Sequence, residues 1–107
     1  MSEAYYALEK LTQAVHLLAI GEGDVRSRLN EAYLACHAVQ EKDFPDHLKK
    51  DWKWICEQLT RFTPPYEGWG RVEYTLSKIK NRTGRKIAER IVTLYHELES
   101  YLSTRAK

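Results

Sequence analysis

The sequence predicts an all-α fold, an antiparallel bundle of four helices with the last helix kinked or split near Asn81–Gly84. Apolar residues recur every three or four positions in each long segment, and no segment shows the alternation of a β-strand. The chain has 107 residues, of which 43% are hydrophobic and 30% are charged. Because this size and composition are typical of one globular domain, we expect a single helical-bundle domain over residues 1–107.

The first helix is predicted to run from about Ser2, a plausible cap, to Ile20, where Gly21-Glu22-Gly23 ends it. Its inner side is predicted to carry Tyr5, Leu8, Leu11, Val15, Leu18 and Ala19. Asp24 is a suitable cap for the second helix, since a carboxylate accepts the first free N–H groups. The apolar row of that helix is Val25, Leu29, Ala32, Cys36 and Val39.

The third helix is predicted to begin at a cap, Asp43 or Asp46, after the break around Pro45. Its apolar row is Leu48, Trp52, Ile55, Leu59 and Phe62. Two prolines and two glycines then fall within residues 63–70, so this stretch is predicted to be a connection. The aromatic residues of the connection, Tyr66 and Trp69, are expected to close one end of the bundle; a peptide- or ligand-binding lip is the alternative.

Residues 71–102 contain no proline and would form a helix roughly 50 Å long if uninterrupted. The apolar direction, however, turns by about 70° between the Val72–Ile79 half and the Ile87–Leu102 half. Asn81 and Gly84 lie at this change of phase, and both are poor residues for a helix interior. The sequence therefore predicts a kink or a split there.

The buried core is predicted from the apolar rows of all the helices. The side chains expected to be among the most buried are Leu8, Val15, Leu29, Cys36, Trp52, Ile55, Leu59, Leu76, Ile91 and Leu94. Arg90 points toward the Val72–Ile79 direction, so its aliphatic stem is expected at the core edge, with its guanidinium group paired to a carboxylate.

Charge is unevenly distributed along the chain. Residues 1–70 carry a net charge of −3 and residues 71–107 a net charge of +5. On one continuous helix, four basic residues would lie within about 60° of one another, which makes them candidates for polyanion binding: Arg71, Lys78, Arg82 and Arg85. The more ordinary interpretation is a solvated helix face, because the sequence has no known nucleic-acid-binding consensus.

Three large apolar residues fall outside the core rows of their helices: Tyr6, Leu34 and Trp54. Such residues either meet a second neighbouring helix or form an interface with another molecule. We therefore predict Tyr6, Leu34 and Trp54 as interface candidates, with burial inside the same chain as the alternative.

No residue pattern indicates catalysis, a cofactor or a metal. The four histidines stand apart without the spacing of a helical metal site, and no nucleotide-binding glycine loop is present. Cys36 and Cys56 are expected to be small buried thiols rather than a disulfide. The N-terminal sequence lacks the features of a signal peptide and no apolar stretch is long enough for a membrane span, so a cytoplasmic location is expected.

These observations favour a small helical interaction or regulatory module whose partner is a second copy or another protein. The alternative is binding of nucleic acid or another polyanion through the basic Arg71–Arg90 segment. An enzyme is the least favoured class, because no catalytic motif is present.

Overall fold

Every regular element of the protein is helical in the computed structural model, which describes residues 3–105. The five α-helices are α1 (Glu3–Ile20), α2 (Val25–Cys36), α3 (Lys49–Leu59), α4 (Arg71–Lys78) and α5 (Asn81–Arg105). Two single turns of 3₁₀-helix, Glu41–Asp43 and Asp46–Leu48, precede α3. The all-α prediction is confirmed, but residues 3–105 form five α-helices rather than four. The predicted cap Ser2 lies outside the described residues.

The predicted split of the last helix is confirmed, and it lies at Ile79–Lys80, directly before Asn81. The backbone at Ile79 is extended, with φ −91° and ψ 161°. Arg26 Nη1 donates a hydrogen bond of 3.2 Å to the Ile79 carbonyl, and the same guanidinium group pairs with Asp24 at 3.0 Å. Arg26 therefore joins the beginning of α2 to the break between α4 and α5.

The sequence suggested that Gly84 lies at the break. Gly84 instead lies buried in the first turn of α5. A Cβ atom at Gly84 would be 3.1 Å from Val25 Cγ1 and 3.4 Å from Leu29 Cδ1. The absence of a side chain thus allows α5 to approach the beginning of α2 closely.

The turn between α1 and α2 depends on two residues. Gly23 has φ +83°, a conformation that glycine adopts without steric cost. The Asp24 carboxylate accepts hydrogen bonds of 3.1 Å from the N–H groups of Arg26 and Ser27. The Ser27 N–H, followed by the Arg26 guanidinium group, lowers the pKa of Asp24. This turn reverses the chain, so α1 and α2 pack as an antiparallel pair.

The long helix α5 lies along the others. Residues at the beginning of α1 (Ala4) and the end of α5 (Leu102) line one cavity, so these two helices are antiparallel. On the opposite side of α5, the rings of His47 and Tyr101 are 5.4 Å apart and Arg90 pairs with Asp51 at 3.3 Å. α3 is therefore also antiparallel to α5, and α1 and α3 occupy different sides of it.

Most residues of the predicted core rows of α2, α3, α4 and α5 are buried, but Val25 and Phe62 are only half-buried. One cluster of buried side chains joins all five helices. The inner side of α1 differs from the prediction: its buried residues are Ala4, Ala7, Leu11, Ala14 and Leu18. Leu8 and Val15 are only half-buried, and Tyr5 and Ala19 are exposed, so their predicted burial is wrong. Small side chains take the inward position because they let α1 pack closely against its neighbours.

Candidate functional site

The four basic residues predicted as a polyanion site are divided between two helices. Arg71 and Lys78 lie on α4, and Arg82 and Arg85 lie on α5. Arg71 Nε donates a hydrogen bond of 2.7 Å to the Thr60 carbonyl, and Lys78 Nζ lies 5.2 Å from the ring centre of Tyr74. The break at Ile79–Lys80 thus removes the single helical face on which the sequence would have placed all four.

Two of these residues, Arg82 and Arg85, instead share a groove with Arg28. This arginine groove has a volume of about 550 Å³, and its lining is completed by Asp24, Val25 and Asn81. Arg28 Nη1 donates a hydrogen bond of 2.9 Å to the Leu18 carbonyl, and Arg85 Nε lies 3.3 Å from Glu89 Oε1. The sequence pattern missed Arg28, which precedes Arg82 by more than fifty positions.

Aromatic rings in the 63–70 connection pack against α4. The ring centres of Tyr66 and Trp69 are 5.7 Å apart, and Trp69 meets Tyr74 edge to face at 4.8 Å. The fully buried Thr75 accepts a hydrogen bond from the Phe62 N–H through its hydroxyl and donates one to the Phe62 carbonyl. The beginning of the connection is therefore fixed against α4, and Tyr66 remains exposed at its outer edge.

The three interface candidates have different surroundings. Leu34 on α2 is 60% exposed and Tyr6 on α1 is 36% exposed. Trp54 is half-buried, and the Arg90 guanidinium group lies over its ring at 4.4 Å. Arg90 also pairs with Asp51, so its predicted position at the core edge, with a carboxylate partner, is confirmed. Trp54 thus has a partner within its own chain.

An apolar depression runs between α1 and α5, and we call it the α1/α5 groove. Its volume is about 580 Å³, and its apolar lining consists of Val15, Leu18, Ala19, Val25, Ala88 and Val92. Charged side chains of both signs line it as well: Arg28, Arg85 and Glu89. The groove exists because α1 turns its alanines inward, which leaves Val15 beside the core rather than within it.

Sequence reasoning missed this groove, although the sequence contains a signal for it. Ala88, Val92 and Tyr95 lie about 60–120° from the centre of the buried row of α5, on one side of it. All three are half-buried and pack against the edge of the core. A second apolar row beside the first indicates a helix that has neighbours on two sides.

Neither thiol has the environment of a reactive cysteine. Burial, with the nearby Cys56 thiol as a second cause, raises the pKa of Cys36 to about 12. Burial followed by Glu41 and Glu57 raises the pKa of Cys56 to about 11. The Cys36 thiol also donates a hydrogen bond of 3.2 Å to the Ala32 carbonyl.

We expect both thiols of the folded protein to react slowly with a soluble alkylating reagent. At pH 8, Cys36 should react at least about 30-fold more slowly than in the unfolded chain, since a higher pKa lowers the thiolate fraction. The rate should continue to rise above pH 9 and should be faster at Cys56 than at Cys36. Mass spectrometry of the alkylated peptides measures both rates, and fast modification of Cys36 at pH 8 in folded protein would contradict the burial of this thiol.

Among residues 3–105, no group of histidine, cysteine, aspartate and glutamate side chains is placed to hold a metal ion. Over the same range, none of the helices has both the length and the apolar character needed to cross a bilayer.

Comparison of the chain with protein-family models, curated proteins and solved structures gives no match. Function is therefore inferred from the surfaces described above.

Proposed function

We propose that the protein is an interaction module that associates with a second copy of itself through the α1/α5 groove. The observation that carries the proposal is the contiguous apolar lining of this groove, to which α1, α2 and α5 all contribute. Apolar surface that is contiguous and bordered by charged side chains is typical of protein interfaces.

Single exposed apolar side chains support association less strongly. Leu34 and Tyr6 lie on different helices, and isolated apolar residues are common on the surfaces of monomeric proteins. The α1/α5 groove, by contrast, lies between two antiparallel helices, where a further helix can pack its side chains into the depression. Burial of Val15, Ala88 and Val92 from water would then stabilise the associated state.

We also propose a cytoplasmic location, which the two free thiols support because they favour a reducing compartment. Cys36 is buried and Cys56 is half-buried, and neither is in a disulfide. Free thiols of this kind are usual in reduced intracellular proteins.

Sedimentation velocity at micromolar concentration tests self-association. We expect a species heavier than the 12.6 kDa chain, and its fraction should increase with concentration. Val92→Glu should return the protein to a monomer, because a charge in the apolar lining would have to be buried without a partner. Tyr66→Glu is the control, because it places a charge at an exposed aromatic side chain outside the groove, and it should leave the mass unchanged. A wild-type protein that remains monomeric throughout, or a dimer that Val92→Glu does not weaken, would contradict the proposal.

Polyanion binding is a second candidate, favoured by the position of Arg28, Arg82 and Arg85 around one groove. Three phosphate contacts would give a slope of about −3 in a plot of log affinity against log salt concentration. Replacing both Arg82 and Arg85 by glutamate should then abolish binding of a fluorescent oligonucleotide while the helical circular dichroism is retained. Absence of binding at physiological salt would reject this candidate and leave the arginines as solvated side chains.

A further inference from the structure

Building on the proposed self-association, we infer its geometry: two copies pair through their α5 helices in antiparallel orientation, with Val92 at the two-fold axis. In this arrangement Arg85 of each copy meets Glu99 of the other. Three observations lead to it: the spacing of residues along α5, the distribution of charge along that helix, and the apolar side chains between the charges.

The spacing of Arg85, Val92 and Glu99 is seven and seven residues. Seven residues are only about 20° short of two full turns, so these three side chains lie in one row along α5. Successive members of the row are about 10 Å apart along the axis. A two-fold axis through Val92 therefore brings Arg85 and Glu99 of opposite copies to the same level.

The charge of α5 changes along its length. Its first half carries Arg82, Arg85, Lys86 and Arg90 against one acidic residue, Glu89, whereas its second half carries Glu97 and Glu99 against Arg105. Antiparallel pairing places the basic part of one helix against the acidic part of the other, whereas parallel pairing would oppose like charges. Electrostatic complementarity of this kind selects one orientation of two partners.

Both charged groups of the row are accessible to a partner. The Arg85 side chain is 80% exposed, and its existing pair with Glu89 on the same helix is of a weak, solvent-exposed type. Glu99 is also exposed, and one of its two carboxylate oxygens, Oε2, accepts a hydrogen bond of 3.2 Å from the Tyr95 hydroxyl. A carboxylate has enough acceptor sites to bind a guanidinium group in addition.

The residues between the charges also match across the axis. Rotation about the two-fold axis through Val92 sets the small Ala88 of one copy opposite His96 of the other, so the imidazole ring meets a position with room for it. Val92 of one copy meets Val92 of the other. The half-buried side of α1, with Leu8 and Val15, would be covered by α5 of the second copy. The two α1/α5 pairs would in this way pack against each other as a four-helix bundle.

A charge-reversal experiment tests the pairing of Arg85 with Glu99. Arg85→Glu and Glu99→Arg should each weaken the dimer by about tenfold or more, because like charges then face each other twice. The double variant should restore the dissociation constant to within about threefold of the wild-type value. An equimolar mixture of the two single variants should form a heterodimer, detected by energy transfer between differently labelled chains, since both of its charge pairs are again opposite in sign.

Lys50→Glu provides a control, because it reverses the charge of an exposed side chain on α3, which lies on the other side of α5 from α1. It should leave the dissociation constant within about threefold of the wild-type value. A dissociation constant that none of these charge reversals changes would overturn this geometry, while the proposed function stands. Loss of association in the single variants without recovery in the double variant would also overturn it. A wild-type chain that stays monomeric would overturn both.

Discussion

Replacing Leu59 by alanine is expected to lower the free energy of unfolding by about 2–5 kcal/mol, the usual cost of removing a large core side chain. Leu59 is 2% exposed and lies at the end of α3, within the same core cluster as Ile55 and Ile91. The smaller side chain would leave a cavity that the helices around it can fill only in part. Chemical denaturation followed by circular dichroism measures the change.

Leu34→Ala is the control for this experiment, since it makes the same chemical change at a side chain that is 60% exposed. It should alter the free energy of unfolding by no more than about 0.5 kcal/mol. A loss below about 1 kcal/mol at Leu59 would show that the inner face of α3 is not packed against the rest of the core.

Replacing Thr75 by valine should cost about 1–3 kcal/mol, although the two side chains have nearly the same shape. The Thr75 hydroxyl accepts a hydrogen bond of 3.1 Å from the Phe62 N–H and donates one of 3.3 Å to the Phe62 carbonyl. A methyl group in place of the hydroxyl of the fully buried Thr75 would leave the N–H and the carbonyl of Phe62, which are part-buried, without this partner. The same denaturation experiment measures the loss.

Ser77→Ala is the appropriate comparison, because the Ser77 hydroxyl also bonds to a backbone carbonyl, that of Tyr74, but at an exposed position. Water can replace that bond, so the effect should be within about 0.5 kcal/mol. Equal stabilities of Thr75→Val and the wild type would mean that the Phe62 backbone groups find other partners. Faster proteolysis of Thr75→Val within residues 63–70 should accompany its loss of stability.

Helical periodicity predicted the architecture where large apolar residues form the inner row. Apart from the half-buried Val25 and Phe62, the rows of α2, α3 and α5 are buried as expected. The change of phase between Ile79 and Ile87 indicated the break between α4 and α5. The prediction for α1 was less accurate because it gave weight to the size of the side chains. In α1 the inward positions belong largely to alanine, and the preference for close packing of helices is not visible in hydrophobicity alone.

The surfaces were harder to predict than the helices, because they depend on contacts between residues that are distant in the chain. Nothing local to Trp54 indicates that Arg90 covers its ring, and nothing local to Arg82 indicates that Arg28 lies across the same groove. The spacing of Arg85, Val92 and Glu99, in contrast, is present in the sequence. It becomes informative only when the structure shows that this side of α5 borders an apolar groove.

The inner face of α1 also affects how relatives of this chain would be recognised. Ala7 and Ala14 are fully buried and leave little room for larger side chains, since an added methylene group in a well-packed core usually costs about 1–3 kcal/mol. Natural variation at these positions should thus be restricted to glycine, alanine, serine and cysteine. A pattern of small residues at positions 7 and 14, with leucine-sized residues at 11 and 18, would therefore identify distant relatives better than overall hydrophobicity.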